Sequence, residues 1–365
     1  MSTHNFLKSP LTAGIVGCPF SGGQPKEGVD TGPRQLIEAG LLDDIKTLGY
    51  HVEFEGADSL ATSLTSDQPD PDIGILKKPR LVSKVGVENS CRKMRSLSDQ
   101  LINDELHFQV TQELADKVFA HASKGHLTVT LGGDHSLAMG TVSGTFRAYP
   151  EAALIWIDAH ADINTPLTTP SGNLHGCPVS FLMGLPGTSP QEIPEFGWCK
   201  PVLKPSRIVY IGLRDIDSGE RKILKENNIK CFSMFHVDKY GIGKVVDMAL
   251  EHVGRDRPLH LSFDVDAMDP EVAPSTGTAV RGGLTFREGH YICEGQFYPA
   301  TRDLRDTRFT DLHTRGLPSA LAETGNLVSL DLMEVNPSLG DDLSVAQTIS
   351  VGRSLVRCAL GETLL

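Results

Sequence analysis

The sequence lacks the features that mark secreted or membrane-embedded chains. Its seven cysteines are scattered, with no Cys-x-x-Cys pair, which is typical of reduced thiols rather than a disulfide framework or an all-cysteine zinc site. No apolar run approaches the ~20 residues that a membrane helix needs. The first ten residues contain one Lys or Arg, Lys8, and no long apolar core, so we expect neither a secretory signal nor a transit peptide. These absences favour a cytoplasmic protein.

Positive charge is also scarce. The 365-residue chain has 34 Lys and Arg against 46 Asp and Glu, a formal net charge of -12. Such a balance argues against nucleic acid or an anionic membrane as the main partner. The glycine pairs Gly22-Gly23 and Gly132-Gly133 lack the Gly-Lys-Ser/Thr ending of a phosphate loop. These properties fit a soluble enzyme for a small molecule, and the acidic charge balance is compatible with a cationic one.

The chain does contain many short apolar segments, and these predict the fold class. Segments that are apolar on nearly every residue indicate strands buried on both faces, as in a parallel sheet. Helical segments between them give an α/β fold, although periodicity alone does not separate a closed barrel from an open three-layer sandwich. The eight predicted strands are Ala13–Cys18, His51–Phe54, Leu127–Leu131, Ala153–Ile157, Ile208–Ile211, Lys230–Phe235, Leu259–Phe263 and Leu327–Leu332.

Strand and helix alternate along the whole chain, which predicts one domain over residues 1–365. Two polar stretches, Gly56–Val87 and Phe297–Gly325, have loop composition, but the alternation continues across both. The predicted helices are one that opens at Gly32-Pro33 and runs toward Leu42, and those at Ser96–Ser123, Glu220–Asn227 and Gly243–Val253.

Five of the predicted strands are followed directly by carboxylates or imidazoles. In parallel α/β proteins the carboxyl edge of the sheet is where ligands bind, so these side chains should converge on one cleft. Residues 158, 160 and 162 alternate along the chain, which predicts that they share a face if that segment is extended. Taken alone, Asp134 and Asp269 are better explained as a helix cap or a turn residue. The chemistry-bearing candidates are His135, Asp158, His160, Asp162, Asp264 and Asp266.

Four carboxylates at one sheet edge would repel one another unless cations neutralised them. Two divalent ions balance four carboxylates, and oxygen-rich ligation with two imidazoles favours a hard or borderline ion such as manganese. A two-metal site of this kind lowers the pKa of a shared water and presents hydroxide near neutral pH. The sequence therefore predicts two Mn²⁺ per chain.

At these residues the sequence resembles the ureohydrolase family, and within it the arginases. The resemblance covers most of the chain. It is carried by Gly132-Gly133-Asp134-His135-Ser136, Asp158-Ala159-His160-Ala161-Asp162, Ser171-Gly172-Asn173-Leu174-His175-Gly176, Ser262 to Pro270 (Ser-Phe-Asp-Val-Asp-Ala-Met-Asp-Pro) and Met333-Glu334-Val335-Asn336-Pro337.

The resemblance implies a fold, a metal centre and a reaction. The implied fold is a three-layer α/β/α sandwich with an eight-stranded parallel sheet, which decides against the barrel. The six candidates above become ligands of a binuclear manganese centre, with two aspartates as bridges: Asp158 or Asp162, and Asp264. The implied reaction converts L-arginine to L-ornithine and urea by attack of a metal-bridging hydroxide on the guanidinium carbon.

The same resemblance implies roles for the remaining residues. Asp162 would relay the proton of the nucleophile, and His175 would act as a proton shuttle for the leaving amine. Glu334 would pair with the planar guanidinium group. Neutral hydrogen-bonding residues would contact the α-carboxylate, and acidic ones the α-ammonium. The implied substrate contacts are Asn164, Thr169, Ser171, Asn173, Asp217, Glu220, Thr278 and Glu334.

Several alternatives stay open. The nearest is a sister ureohydrolase that acts on agmatine, guanidinobutyrate or formiminoglutamate, and the Asn164–Asn173 loop with Asp217 would discriminate. The one-zinc deacetylase branch of this architecture is more distant, and a non-catalytic arginine or metal sensor is a different class. Family members are commonly trimers or hexamers, so a homo-oligomer is expected. The chain shows no counterpart of the long C-terminal tail that supports trimer contacts in some members.

Overall fold

The computed structural model describes residues 4–55, 105–294 and 324–362. In these residues eight strands form one all-parallel sheet in the order β2-β1-β3-β8-β7-β4-β5-β6. The order runs from one edge strand to another without closing, so the open sandwich is confirmed over the barrel. The strands are β1 (Thr12–Cys18), β2 (His51–Glu55), β3 (Leu127–Gly132), β4 (Ala153–Ile157), β5 (Ile208–Leu213), β6 (Lys230–Ser233), β7 (Leu259–Asp264) and β8 (Leu327–Met333).

Ten α-helices are found in the described part of the chain. Several begin at capping residues: Asp217, Thr285 and Asp341 each accept hydrogen bonds from backbone N–H groups of the first turn. The helices are α1 (Gly32–Glu38), α2 (Leu41–Thr47), α3 (Glu105–Lys124), α4 (Ala138–Ala148), α5 (Pro178–Met183), α6 (Ser218–Glu226), α7 (Met234–Tyr240), α8 (Ile242–Val253), α9 (Phe286–Cys293) and α10 (Asp342–Ala359).

The helices cover both faces of the sheet and complete three layers. In β4 alternate side chains enter different cores: Ile155 and Ile157 pack with residues of α1, α2 and α7 to α10, whereas Leu154 and Trp156 pack with residues of α4 to α6. Helix α3 contacts β1 and β3, where Val118 packs with Val16. Because successive side chains of a strand point to opposite faces, a strand covered on both faces, such as β4, contributes to both cores, which explains its continuous apolar run.

Two predicted elements end differently in the structure. The predicted strand Lys230–Phe235 stops at Ser233, since Ser233 forms a capping box with His236 and starts α7. The single helix predicted from Gly32 to Leu42 is two helices, because Gly40 adopts φ 101° between them, a left-handed conformation that interrupts a right-handed helix. The helix predicted at Ser96–Ser123 is observed from residue 105, and its first nine predicted residues lie outside the described ranges.

The predicted loop Gly56–Val87, and the loop Phe297–Gly325 up to residue 323, also lie outside the described ranges. Among the helices that the structure describes, none combines the length and the apolar character required to cross a bilayer.

Four strands that carry the candidate site residues are neighbours in the middle of the sheet. They lie side by side in the order β3-β8-β7-β4, and being parallel they end at the same edge. His135 follows β3, Glu334 follows β8, Asp264 closes β7 and Asp158 follows β4. The topology therefore gathers groups that are up to about two hundred residues apart in the chain, at the edge where α/β sheets bind ligands.

Candidate metal centre and active-site cleft

His135 faces three carboxylates. Its Nδ1 lies 3.0 Å from Asp264 Oδ2 and 3.3 Å from Asp158 Oδ2. The same nitrogen lies 3.4 Å from Asp162 Oδ2. His135 and Asp158 are fully buried. A buried imidazole nitrogen that meets three carboxylate oxygens has the donor set of a metal ligand cluster.

A second group of ligand atoms lies beside the first. His160 Nδ1 is 3.1 Å from Asp266 Oδ2 and 3.4 Å from Asp158 Oδ1. Asp266 stands on a 3-10 turn after β7, where its N–H donates to Asp264 Oδ1 at 2.8 Å. The two groups are thus His135, Asp158, Asp162 and Asp158, His160, Asp266, and Asp158 belongs to both. A carboxylate with one oxygen toward each group has the placement of a bridge between two ions.

The six candidates converge, but not by the extended backbone that alternation predicts. Asp162 adopts φ 48°, and Glu334, at the neighbouring strand end, adopts φ 64°. Only one other non-glycine residue in the described part of the chain, Asn228, has positive φ. Positive φ costs an L-residue free energy and persists where the surroundings enforce it, most often at functional sites. The bend at Asp162 therefore brings its carboxylate back toward His135.

The electrostatics of the cluster fit a cation. Burial raises the pKa values of Asp162 and Asp264 well above their ordinary range, and the charge of Asp158 raises them further. The pKa of Asp266 is raised for the same two reasons. Burial also opposes the charge of Asp158, but hydrogen bonds from His135 and His160 outweigh it and lower the pKa of that carboxyl. Two imidazoles cannot neutralise four buried carboxylates, whereas two divalent ions can.

His175 and Glu334 form a hydrogen-bonded pair next to the cluster. His175 Nδ1 lies 3.1 Å from Glu334 Oε1, which also accepts the backbone N–H of His135 at 3.0 Å. Burial lowers the pKa of His175, but the hydrogen bond and the charge of Glu334 outweigh it, so the pKa is raised. Glu334 is 1% exposed, and its other carboxylate oxygen faces Gly277, where a Cβ would lie 3.6 Å away. In this structure the Glu334 carboxylate is therefore hydrogen-bonded to His175.

A cleft that is open to solvent at its mouth leads to the metal cluster. Metal-group residues form its floor, and residues of two loops and α6 form its walls. Thr278 donates to Asp266 Oδ2 at 2.8 Å, which ties a wall to the floor. Among the predicted substrate contacts, the cleft is lined by Asn164, Thr169, Ser171, Asp217, Glu220 and Thr278, whereas Asn173 and Glu334 are not in its lining.

Asp217 and Glu220 are held by a capping box at the start of α6. Asp217 Oδ1 accepts the N–H groups of Gly219 at 2.7 Å and Glu220 at 3.0 Å, and Glu220 Oε2 accepts the N–H of Asp217 at 3.2 Å. The second oxygen of Asp217 accepts from Asn164 Nδ2 at 2.6 Å. Burial, followed by the charge of Asp217, raises the pKa of Glu220 to about 7.

The opposite wall is a turn built by short hydroxyl side chains. The N–H of Gly172 donates to Thr169 Oγ1 at 3.1 Å, and the N–H of Asn173 donates to Ser171 Oγ at 3.2 Å. The two hydroxyls lie 3.4 Å apart. Asn173 therefore contributes its backbone to the turn, and Thr169 and Ser171 line the cleft.

The structure adds residues that the sequence reasoning missed. His135 Nε2 lies 2.9 Å from Ser262 Oγ, which in turn donates to Asp331 Oδ2 at 3.3 Å. Asp331 Oδ2 also accepts from His260 Nε2 at 2.8 Å, and the ring of Trp156 stacks on His135 at 4.0 Å between centroids. This buried chain fixes the orientation of His135. A signal was present: positions 260, 262 and 264 of β7, and 329 and 331 of β8, are polar at alternate residues of otherwise apolar strands.

Asp134 and Asp269, which the sequence analysis explains as a helix cap or a turn residue, have these structural roles. Asp134 caps the turn after β3 by accepting the N–H of Ser136 at 3.0 Å, and it also accepts the N–H of Gly23 at 2.7 Å. Asp269 accepts backbone N–H groups of Glu271 and Gly283 in a turn. Neither aspartate belongs to the ligand groups found in the described residues.

Comparisons with known proteins agree on one family. The profile of the Arginase family matches residues 11–302. The arginase of Glaciozyma antarctica is 68% identical over 366 residues, covering 100% of this chain and 92% of that protein.

Solved structures agree. The crystal structure of a cold-adapted arginase from the psychrophilic yeast Glaciozyma antarctica has a TM-score of 0.69, with 56% identity in the structural alignment, and covers 100% of this chain and 99% of the other. The Entamoeba histolytica arginase in complex with L-ornithine has a TM-score of 0.69 at 25% identity, covering 95% of this chain and 98% of the other. The chain therefore belongs to the arginase family, and it is a hydrolase of the arginase class.

Proposed function

We propose that this enzyme hydrolyses L-arginine to L-ornithine and urea at a binuclear manganese centre. The observation that carries the proposal is the sharing of Asp158 by two ligand groups, one buried and one with the partly exposed His160, at the floor of a cleft. The names of the relatives support arginine as the substrate. The L-ornithine complex of the Entamoeba histolytica enzyme supports ornithine as a product.

Six residues would hold the two ions. His135, Asp158 and Asp162 would bind one ion, and Asp158, His160 and Asp266 the other. Asp264 would be the second bridge, which is supported by its 3.0 Å approach to His135 on one side and its bond from the Asp266 N–H on the other. Oxygen donors with two imidazoles suit manganese, and four carboxylates match the charge of two divalent ions. When bound, the pair supplies the positive charge that ionises a water near neutral pH.

Protonation steps fall to residues of this chain. A guanidinium is delocalised and keeps its proton at physiological pH, so it resists attack by water, and the leaving amine must gain a proton. Asp162 reaches from the floor of the cleft and would take the proton of the nucleophile. His175 also lines the cleft, is partly exposed, and is oriented by Glu334. It would carry protons between the leaving amine and solvent.

Substrate orientation would come from both ends of the cleft. Thr169, Ser171 and Asn164 offer neutral hydrogen-bonding groups that suit an α-carboxylate. Asp217 and Glu220 offer carboxyl groups that suit an α-ammonium. Glu334 would pair with the guanidinium group, which requires its carboxylate to be shared with His175 or released by it. Thr278, whose hydroxyl donates to Asp266, would contact the substrate from that side of the cleft.

Urea release by purified protein tests the proposal. The protein is preincubated with Mn²⁺ and assayed with L-arginine and, separately, with agmatine, which lacks the carboxylate. We expect a large preference for arginine. Preference for agmatine would instead assign a sister activity with the same metal residues, and no urea from either substrate despite two bound metals would favour a sensor. A single domain over residues 1–365, a cytoplasmic location and a trimer or hexamer remain predictions, the last checked by light scattering.

A further inference from the structure

A second group of metal-binding side chains lies far from the cleft. Its members are Glu53 on edge strand β2, His121 in the last turn of α3, and His126 just before β3. The Nδ1 atoms of the two histidines face each other at 3.2 Å. Glu53 Oε2 lies 3.9 Å from Nδ1 of His121 and 3.7 Å from Nδ1 of His126. We call these three residues the edge-strand cluster.

The spacing of these atoms matches a coordination sphere. A point equidistant from atoms separated by 3.2, 3.7 and 3.9 Å lies about 2.1 Å from each of them. Zinc–nitrogen and zinc–oxygen bonds are ~2.0–2.2 Å long. Two imidazoles and one carboxylate are a donor set that borderline ions favour. We propose that the edge-strand cluster binds a third, structural divalent transition ion, with Zn²⁺ as the chemically best match.

The second nitrogen of His121 supports this assignment. The side chain is 1% exposed, and its Nε2 has no hydrogen-bond partner among the described residues, although Glu55 Oε1 lies 3.3 Å from it. Metal-binding histidines generally direct their other ring nitrogen to a carboxylate, which fixes the tautomer and strengthens the ligand. With Nδ1 on an ion, the Nε2–H of His121 would be directed toward Glu55.

The backbone makes room for this ring, and burial favours its binding form. Gly14 of β1 lies under His121, and a Cβ at that position would come within 2.4 Å of the ring. Burial lowers the pKa of His121 and of His126, which favours the neutral form of the ring that a metal ion binds.

The cluster is separate from the catalytic centre. His126 precedes β3 and His135 follows it, so the two sites lie at opposite ends of a six-residue strand, about 20 Å apart. An ion there would join β2 to α3 across the stretch of chain between residues 55 and 105. Closing a long loop in this way restricts the unfolded chain and stabilises the fold. We therefore expect an effect on stability and none on turnover.

Metal counting in the full-length protein tests the proposal. The protein is loaded with Mn²⁺, given one equivalent of Zn²⁺ per chain, passed through a desalting column and analysed by mass spectrometry for both metals. Electron paramagnetic resonance of free Mn²⁺ reports any displacement from the catalytic centre. We expect one Zn²⁺ per chain to be retained without release of Mn²⁺, and a Zn²⁺-dependent rise in Tm.

Two variants and one control locate the ion. His126→Asn and the half-exposed Glu53→Gln should each weaken Zn²⁺ retention at least ~10-fold and abolish the rise in Tm, with kcat unchanged. His252→Asn, which removes a partly buried histidine on α8, should retain the ion. Zn²⁺ uptake only at the expense of Mn²⁺, or equal uptake by wild type and both variants, would overturn the proposal. Because the readouts are metal content and Tm, absence of arginine hydrolysis would not affect this result.

Discussion

Asn164 Nδ2 donates to Asp217 Oδ2 across 2.6 Å, which joins the loop after the Asp-x-His-x-Asp motif to the start of α6. Asp217 is also the capping residue of α6, so its carboxylate is held by three donors on one side of the cleft. This hydrogen bond connects the wall that carries the neutral Asn164 to the wall that carries the anionic Asp217 in the absence of substrate. Such preorganisation favours a ligand with an anion and a cation on the same carbon, as in an α-amino acid.

Substitution of Asp217 tests this recognition. Asp217→Asn removes the negative charge but keeps a good helix cap, so we expect the KM for arginine to rise ~10-fold or more while the fold is retained, because a charge-assisted hydrogen bond is lost. Steady-state kinetics and thermal unfolding provide the readouts. Asp217→Ala is the comparison, and it should show the same KM defect together with ~1 kcal/mol of lost stability. An unchanged KM in the Asn variant would remove Asp217 from the substrate contacts.

His175 gives a second prediction. Because a positioned general acid or base contributes ~10²–10⁴-fold, His175→Asn should lower kcat by about that factor and change KM little. Added imidazole should restore part of the activity, since the cleft is open to solvent beside His175. His290→Asn on α9 serves as a matched control and should keep full kcat. A His175→Asn enzyme with nearly wild-type kcat would show that the proton leaves by another path.

Most of the fold could be predicted because its central strands, β3, β8, β7, β4 and β5, are buried on both faces. The run at β4 is apolar throughout, and that at β8 is interrupted only by Ser329 and Asp331; the observed bounds of both strands differ from prediction by at most one residue. Helix α4 was not predicted, since nine of its eleven residues are buried and it therefore lacks an amphipathic pattern. The predicted end of β6 was wrong because the helix that follows begins at a cap formed by Ser233 and His236. This cap depends on a side-chain hydrogen bond, which the apolar pattern of the segment does not reveal.

Site residues divide along similar lines. The six candidate ligands could be brought together from sequence because each lies at or just after the end of a buried strand, and parallel strand ends share an edge; their role as ligands stays a prediction. The tautomer-fixing partners of His135 were hidden inside β7 and β8, where Ser262 and Asp331 stand among apolar residues. Asp162 joins the group of His135 because its backbone adopts a positive φ, and this backbone feature is not predicted by residue type.

Glu220 predicts a pH-dependent stability difference. Burial and then the charge of Asp217 raise its pKa to about 7 in the folded protein, against an ordinary value near 4.5. The folded state therefore binds the proton of Glu220 more tightly than the unfolded state does. This binding stabilises the fold fully below about pH 4.5, and the stabilisation is lost as the pH rises to about 7. Glutamine does not ionise, so the Glu220→Gln variant does not lose this stability. Its free energy of unfolding should exceed that of wild type by up to about 3 kcal/mol at pH 8, and by much less at pH 5.

Urea-induced unfolding of both proteins at pH 5 and pH 8, with equal manganese content, measures this difference. Comparing variant with wild type at each pH cancels the pH dependence of metal binding that both share. Glutamine can still accept the Asp217 N–H through its carbonyl oxygen, so the capping box is preserved. A difference between the two proteins that is the same at both pH values would contradict the raised pKa of Glu220.

Asp158 and Asp266 differ in how many ligand groups they join, and metal content should reveal it. Asp158 belongs to both groups, whereas Asp266 belongs to one. We expect Asp158→Asn to retain well below one Mn²⁺ per chain after dialysis, and Asp266→Asn to retain about one. Atomic absorption gives the counts. Equal retention by the two variants would mean that Asp158 is not the shared ligand.

Ser262 provides the last prediction, because it contacts the candidate ligand His135 without belonging to either ligand group itself. If His135 Nε2–H donates to Ser262 Oγ at 2.9 Å, the Nδ1 atom is left deprotonated and aimed at the three carboxylates. Ser262→Ala removes this orientation, and loss of such a partner weakens metal affinity ~10–100-fold. The Mn²⁺ concentration for half-maximal activity should rise accordingly, whereas kcat at saturating Mn²⁺ should fall little. Ser143→Ala, a buried serine of α4 whose hydroxyl contacts Cys199 Sγ at 3.8 Å, is the matched control. An equal shift in both variants would indicate a general packing effect instead of orientation of His135.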